Sequence, residues 1–331
     1  MTHKKLVESK KNLYTPCWLP QHKKSIDTHF LEWFIGFSEG DGSFSATQYK
    51  NKLNETQPYF RHSFVINQKE PQILYKIRTT LGFGTVKQYK DNKQNTIYFR
   101  YLVSDIENVY RLIHIFNGNL LLNKTQSRFK HWVDTFNQLP LVIQNNKNIE
   151  FISSENNNFS LSSAWLSGFI DAEGCFSMYS TLVKENFWRI RLRFILDQKD
   201  ELAFFSCVQK ELKKGSICLR SNSTDIYRYT LDFSKQVGFR SGSASDTPNT
   251  NNTNNTNHKS LEKNNKDSAT INQHPFQDLF LYFNQFPLKS KKNIDYIRFH
   301  KVFVRLNDNI ERPLRSKAFL RFFRLLVAEP T

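Results

Sequence analysis

Apolar positions along the chain alternate between helical and strand periods, and the whole succession occurs twice. Trp33, Phe34 and Phe37 recur at helical spacing, and Trp165, Leu166, Phe169 and Ile170 repeat the pattern. These stretches predict helices over residues 30–40 and 161–172. Each closes with two acids separated by one residue, then a glycine: Phe34-Ile-Gly-Phe-Ser-Glu-Gly-Asp-Gly42 and Leu166-Ser-Gly-Phe-Ile-Asp-Ala-Glu-Gly174. After the first helix, residues 43–49 alternate as a strand and residues 60–68 predict a second. A short helix over 71–81, a hairpin with strands at 84–90 and 96–103, and helices over 106–116 and 124–136 complete this half. The second half repeats the order, with strands opening at 176–179 and spanning 187–196, a helix over 201–212, and strands at 215–217 and 226–231.

Three landmarks fix the repeat. Asp41 and Glu173 are 132 residues apart, Gln68 and Gln198 are 130 apart, and Gly84 and Gly215 are 131 apart. A repeat of this kind decides the fold before any single element does. The expectation is an α+β protein of two pseudo-symmetric αββαββα half-domains, the first with an extra helix at its end. Residues 1–29 read as a basic arm, 30–138 as the first half-domain, 139–160 as a linker, 161–310 as the second half-domain and 311–331 as a tail or helix. Within the second half, the Ser/Asn/Thr/Lys-rich run at 241–273 cannot bury a core and is expected to be disordered. That run breaks the constant offset, so that Lys124 and Lys291, 167 apart, become the matching lysines.

The small residues of the predicted helices fall four apart, Gly36 with Gly40 and Gly168 with Ala172. Two helices meeting along that stripe can approach backbone to backbone, and Gly42 and Gly174 suit a sharp turn into a strand. Asp41 and Glu173 then meet at the bottom of the pair. Two carboxylates at two helix C-termini repel each other and the helix dipoles unless a cation or proton lies between them. Oxygen donors alone point to a hard cation such as Mg²⁺ (or Mn²⁺).

Charge gives the class of partner. The 331 residues carry 47 Lys+Arg against 30 Asp+Glu, a formal net charge of +17, which favours an anionic partner. In Arg189-Ile-Arg-Leu-Arg-Phe194, period two places Arg189, Arg191 and Arg193 on one strand face and Ile190, Leu192 and Phe194 on the other. Three arginines on one face repel unless something anionic lies across them. A saddle-shaped antiparallel sheet on the DNA major groove answers that need, because Arg there bonds guanine and Gln or Asn reads adenine. Ser45, Thr47, Tyr49, Arg61, Ser63, Lys87 and Tyr89 are the comparable positions of the first half. Lys289, Lys291 and Lys292 cluster after Pro287, either to hold phosphates or as a solvated helix start. The four cysteines form no Cys-x-x-Cys pair and read as reduced thiols. No apolar run of about 18 residues exists, so no membrane partner is expected.

The two motif stretches resemble the paired signature of the LAGLIDADG homing endonucleases, in the form with both copies on one chain. The resemblance covers roughly residues 30–310. The first copy departs from the pattern with Ser38 at an aliphatic position and Glu39 at the first acid. The resemblance implies that Asp41 and Glu173 are the catalytic acids, with the backbone carbonyls of Gly40 and Ala172 as further metal ligands. It gives Gln68 and Gln198 a role in positioning water, and a lysine in each half, Lys124 and Lys291 with Lys289 competing, a role in the transition state. It also implies two half-domains packed through the motif helices, a monomer, a double-stranded DNA target cut to short 3′ overhangs, and mobility of a host intron. The alternatives are a maturase binding host intron RNA, a non-cleaving DNA-binding protein on the same fold, or a protein whose repeats only build a core. By family habit, with a composition suited to an A·T-rich organelle genome, the expected location is the mitochondrion or, failing that, the chloroplast.

Overall fold

A computed structural model describes residues 26–49, 59–91, 96–154, 159–184, 187–238 and 274–307. Most of the expected N-terminal arm, the 241–273 insertion and the 311–331 tail lie outside the described residues.

The first half runs α1 (Thr28–Asp41), β1 (Gly42–Tyr49), β2 (Tyr59–Gln68), α2 (Gln72–Leu81), β3 (Thr85–Asp91), β4 (Thr96–Val103), α3 (Ile106–Phe116) and α4 (Asn123–Phe136). A short helix, α5 (Pro140–Gln144), follows. The second half runs α6 (Trp165–Glu173), β5 (Cys175–Lys184), β6 (Phe187–Lys199), α7 (Leu202–Leu212), β7 (Ser216–Leu219), β8 (Ile226–Gly238), α8 (Gln277–Gln285) and α9 (Lys292–Asn307). Each half carries one antiparallel four-stranded sheet, in the orders β1-β2-β4-β3 and β5-β6-β8-β7. The fold is α+β with two matching halves, as the repeat requires.

Period two sets which side of each sheet is buried. On β2 His62, Phe64 and Ile66 are buried, and on β6 Ile190, Leu192, Phe194 and Leu196. The first strands add Phe44 and Phe176 to that side. Phe44 sits 5.1–5.3 Å, centroid to centroid, from Phe64, Phe116, Phe129 and Trp132. Phe176 sits 5.3–6.1 Å from Phe194, Phe283, Tyr296 and Phe299. Helices α3 and α4 therefore cover the first sheet as α8 and α9 cover the second. Gly84 and Gly215 hold the same station in both halves, with φ of +84° and +101°, and an added Cβ would strike the Tyr101 or Tyr229 ring within 2.7 Å. Both positions demand glycine for backbone and for space.

The halves join through α1 and α6. A Cβ on Gly36 would fall 1.9 Å from the Trp165 carbonyl oxygen, and one on Gly168 would fall 1.8 Å from that of Trp33. The expected backbone-to-backbone approach is met almost symmetrically. The glycines that close the motifs turn each helix directly into a strand, as expected, but without a left-handed backbone. Gly42 and Gly174 are extended, with φ of −81° and −68°, which any residue adopts. Their need is space, because a Cβ would fall 2.4 Å from Ser38 O and 2.6 Å from Ile170 Cγ2 respectively.

Boundaries differ where the sequence gives no periodic signal. The second motif helix starts at Trp165 rather than 161, after a turn at 161–164. β6 and β8 run further than expected, to Lys199 and Gly238. Helix α8 went unread, although its buried Leu279, Phe280 and Phe283 stand at helical spacing. The segment after α4 is docked on the first half: Asn117 bonds Glu150 O at 2.8 Å and accepts from Ile152 N at 2.8 Å, and Asn137 Nδ2 donates to Ile149 O at 2.8 Å. Among the described residues no helix is long and apolar enough to cross a membrane.

Candidate active site and nucleic-acid interface

Asp41 and Glu173 end α1 and α6, on the two helices that touch. An added Cβ on Gly40 would meet Ala172 Cβ at 2.4 Å and Glu173 Cγ at 3.0 Å, so the last turns are in contact. Burial raises the pKa of Asp41, and the Asp171 charge adds to it. Gln68 Nε2, donating to Asp41 Oδ2 at 2.6 Å, and the Lys292 ammonium oppose the rise. Glu173 is pushed up to about 6, first by burial and then by the Asp41 charge. At each carboxylate, burial and like charge thus outweigh the positive charge that Lys292 supplies.

Lys292 is the ammonium the fold brings to both acids. It is half-buried, and its Nζ donates to the Ala172 carbonyl at 3.0 Å. Burial lowers its pKa, while Asp171, Asp41 and Glu173 resist that shift. A carbonyl at the end of α6 therefore already faces a cation beside two acids. Among the described residues no cluster of three or more His, Cys, Asp or Glu side chains is placed to hold a metal ion. A hard cation here would rest on Asp41, Glu173 and the carbonyls of Gly40 and Ala172, an all-oxygen donor set that fits Mg²⁺.

Lys291, the residue matched to Lys124 by sequence offset, points elsewhere. Its Nζ pairs with Glu70 Oε1 at 2.7 Å, and its side chain is 57% exposed. The register that corrects the offset comes from the first acid of each motif. Glu39 accepts from Leu121 N and Leu122 N, both at 2.8 Å. Asp171 accepts from Lys289 N at 2.6 Å and Ser290 N at 3.1 Å. Leu121 thereby matches Lys289, and Lys124 matches Lys292. The Lys124 side chain is exposed at the start of α4, while its backbone N–H donates to Glu201 Oε1 of the other half at 3.2 Å. Lys289 is half-buried with its ammonium 6.0 Å from the Trp33 ring centre, and burial and Lys76 lower its pKa.

These first acids join the two halves, a role that the sequence did not reveal. Trp33 Nε1 donates across the helix pair to Asp171 Oδ2 at 2.8 Å, and Trp165 Nε1 donates back to Glu39 Oε2 at 2.8 Å. Each acid so ties the partner helix to the start of the last helix of its own half. Burial pushes Glu39 up to about 8 against the three N–H donors that favour its anion. The available signal was a tryptophan six residues before each first acid.

The two halves differ at the glutamines. Gln68 is bonded to Asp41, whereas no hydrogen bond joins Gln198 to Glu173 among the described residues. A groove of about 830 Å³ opens beside the acids, and Gln68, Glu70, Lys76, Ala172, Lys291 and Lys292 are among its lining residues.

The sheet faces away from the helices carry the expected polar positions. Ser45 lies opposite Ser63 and Thr47 opposite Arg61, and the Arg61 guanidinium is 5.7 Å from the Tyr49 ring centre. Lys87 and Tyr89 share that face with Arg100 and Tyr98, their register partners. Arg100, 4.7 Å above the Tyr89 ring and bonded to Asn67 at 2.9 Å, was not anticipated. In the second sheet Arg189, Arg191 and Arg193 face away from the core, as period two requires. The anion across two of them is internal. Asp232 on β8 accepts from both Arg191 and Arg193, and it lay beyond the strand that the sequence predicted.

The profile of the LAGLIDADG endonuclease family matches residues 34–136 and 166–238, just over half of the chain. A protein of Neurospora crassa named as probable intron-encoded endonuclease 4 is 32% identical over 285 residues, 85% of this chain and 41% of its own length. The chain therefore spans under half of that relative. The intron-encoded RNA maturase bI4 of Saccharomyces cerevisiae is 28% identical over 47% of this chain and 20% of its own length. Among solved structures, the I-LtrWI LAGLIDADG homing endonuclease bound to target DNA superposes with a TM-score of 0.62 at 17% identity, covering 92% of this chain and 99% of that one. At that identity the likeness is one of fold, and it covers both half-domains. With both motif copies inside the matched segments and both ending on the acids at the helix interface, the chain belongs to the LAGLIDADG endonuclease family.

Proposed function

We infer that this chain is a site-specific DNA endonuclease. It makes a metal-dependent double-strand break in a long asymmetric target, leaves short 3′ overhangs and so promotes mobility of its host intron. The observation that carries the reading is the pair of under-compensated carboxylates at the foot of a glycine-packed helix pair, flanked by two polar, arginine-bearing sheet faces. The naming of the Neurospora crassa relative as a probable intron-encoded endonuclease agrees with it.

Asp41 and Glu173, with the carbonyls of Gly40 and Ala172, hold the divalent cations, Mg²⁺ or Mn²⁺. Such a cation supplies activation of water and stabilisation of the leaving 3′ oxygen. Gln68 holds Asp41 in place and orients water beside it. Lys292 supplies positive charge at the second acid, and Lys124 holds the corresponding station in the first half. The arginines and polar residues of the two faces dock the duplex, and unequal faces on one chain suit an asymmetric site read by a monomer. Intron-encoded relatives and a composition suited to A·T-rich DNA support an organellar gene, in the mitochondrion ahead of the chloroplast.

The test is a cleavage screen of the protein against a host-genome or randomised DNA pool with Mg²⁺, beside the double variant Asp41→Asn/Glu173→Gln. Discrete cuts that vanish in the variant while binding in Ca²⁺ persists are expected. The similarity to an RNA maturase favours a second reading, binding of host intron RNA. Absence of any cut, with tight binding to structured intron RNA, would replace the first reading with the second.

A further inference from the structure

The two open sheet faces are not chemical copies of each other. The relation that carries Gln68 onto Gln198 carries Arg61 onto Arg191, Ser63 onto Arg193 and Asn67 onto Asp197. Phe64 pairs with Val103 and Phe194 with Leu231, so Asp232 occupies the station of Ser104, one residue past the end of β4. The second face therefore holds a carboxylate and an additional arginine where the first has two serines.

A carboxylate within a surface that meets a polyanion lowers general affinity, because each contacted phosphate is matched by cationic charge. Asp232 costs more than its own charge, since it engages two guanidinium groups at once. Arg191 Nε lies 2.8 Å from Oδ1 and 2.9 Å from Oδ2, and Arg191 Nη2 also bonds Oδ2. Arg193 directs Nη2 at 2.9 Å and Nε at 3.2 Å to Oδ2 alone. Oδ2 is crowded, whereas Oδ1 meets a single shared N–H. A carboxylate oxygen has about two acceptor sites, so Oδ1 keeps one free. The Asp232 side chain is 29% exposed, on the face turned from the core. Among the described residues the first sheet forms the matching β1-β2-β4-β3 order without such a clamp, so the fold itself does not require one.

An acceptor fixed between two donors selects among base edges. In the major groove cytosine and adenine offer amino donors, N4 and N6, but adenine sets its N7 acceptor beside the amino group, while thymine and guanine offer the acceptors O4 and O6. Resting on the endonuclease reading above, we propose that Asp232 is a specificity-determining residue of the second half-site. Its Oδ1 accepts from a cytosine N4 amino group, while the clamped Arg191 and Arg193 present their outer N–H groups to neighbouring guanine O6 and N7. The clamp trades general affinity for discrimination: a thymine or guanine at the cytosine position sets a carbonyl oxygen against a carboxylate.

The experiment is selection of bound sequences from a randomised double-stranded DNA library in Ca²⁺, with wild type, Asp232→Asn and Asp232→Ser. Thermal unfolding of each protein runs in parallel. Wild type is expected to select one long asymmetric site with cytosine at the position that Asp232 reads. Both variants are expected to lose about 10- to 100-fold of discrimination at one or two adjacent pairs of one half-site. They should keep every other preference and bind random DNA more tightly. Identical profiles for wild type and both variants overturn the proposal alone and leave the endonuclease standing. A uniform loss across all positions with a lowered melting temperature also overturns it, as the mark of a structural ion pair. A wild type that selects no sequence overturns both this proposal and the reading on which it rests.

Discussion

At Glu173, burial and the Asp41 charge favour the protonated form, with Lys292 opposing them. The folded pKa of about 6 lies above the free value of 4.5, so Glu173 contributes stability that is complete below pH 4.5 and lost as pH rises through 6. In a metal-free melting series, wild type should therefore lose ground to Glu173→Gln between pH 4.5 and 7. The difference should reach about 1 kcal/mol after allowance for partial solvent screening. Cleavage should run the other way, rising through pH 6 as the carboxylate forms, and falling about 100-fold or more in the variant. Flat melting behaviour in both proteins would show that the carboxylate already has its compensating charge without metal. Opposite pH trends for stability and for activity at one residue are what a built metal position predicts. Trp165 poses a separate residue-scale question. Trp165→Phe removes one of three donors from buried Glu39 and should cost about 1–2 kcal/mol in denaturant unfolding. An unchanged midpoint would mean that the two backbone donors suffice.

At the scale of elements, the helix pair leaves no room for adjustment. A Cβ on Gly168 would lie 1.8 Å from a backbone oxygen, and backbone cannot rotate away as a flexible side chain would. Gly168→Ala must separate α6 from α1 and should destabilise the protein by about 3 kcal/mol, read as a lowered melting temperature. Gly36→Ala should match it, and a substantially milder effect at either site would contradict the close approach. This approach was legible from the four-residue spacing of small side chains alone. Strand parity was equally legible, because period two needs no tertiary knowledge: Arg189, Arg191 and Arg193 fall opposite Ile190, Leu192 and Phe194 as read. The arginine partner was not legible, because β8 continues to Gly238 through Asp232, Ser234 and Gln236, where apolar signal thins. Helix α8 was overlooked for a different reason. Its nine residues stand between a low-complexity run and a lysine cluster, too short a stretch for a helical period to stand out.

Across the whole molecule, the internal two-fold relation decides which lysine belongs to the second acid, and the sequence offset errs there by one residue. An insertion of unknown register cannot be subtracted by counting. The hydrogen bonds of Glu39 and Asp171 count instead, and they pair Lys124 with Lys292. The consequences for the two neighbouring lysines are opposite. Lys292→Ala removes the ammonium that opposes the raised pKa of Glu173, so the pH midpoint of cleavage should move upward as well as the rate falling about 100-fold. Lys291→Ala breaks an exposed, solvent-screened pair with Glu70 and should leave both rate and midpoint near wild type. Cleavage rates across a pH series, with Ca²⁺ binding as the control for folding, separate the cases. A rate loss without a midpoint shift in Lys292→Ala would assign the residue to holding the duplex rather than to the acids. A large loss in Lys291→Ala with Lys292→Ala intact would restore the counted offset and break the two-fold relation at this helix.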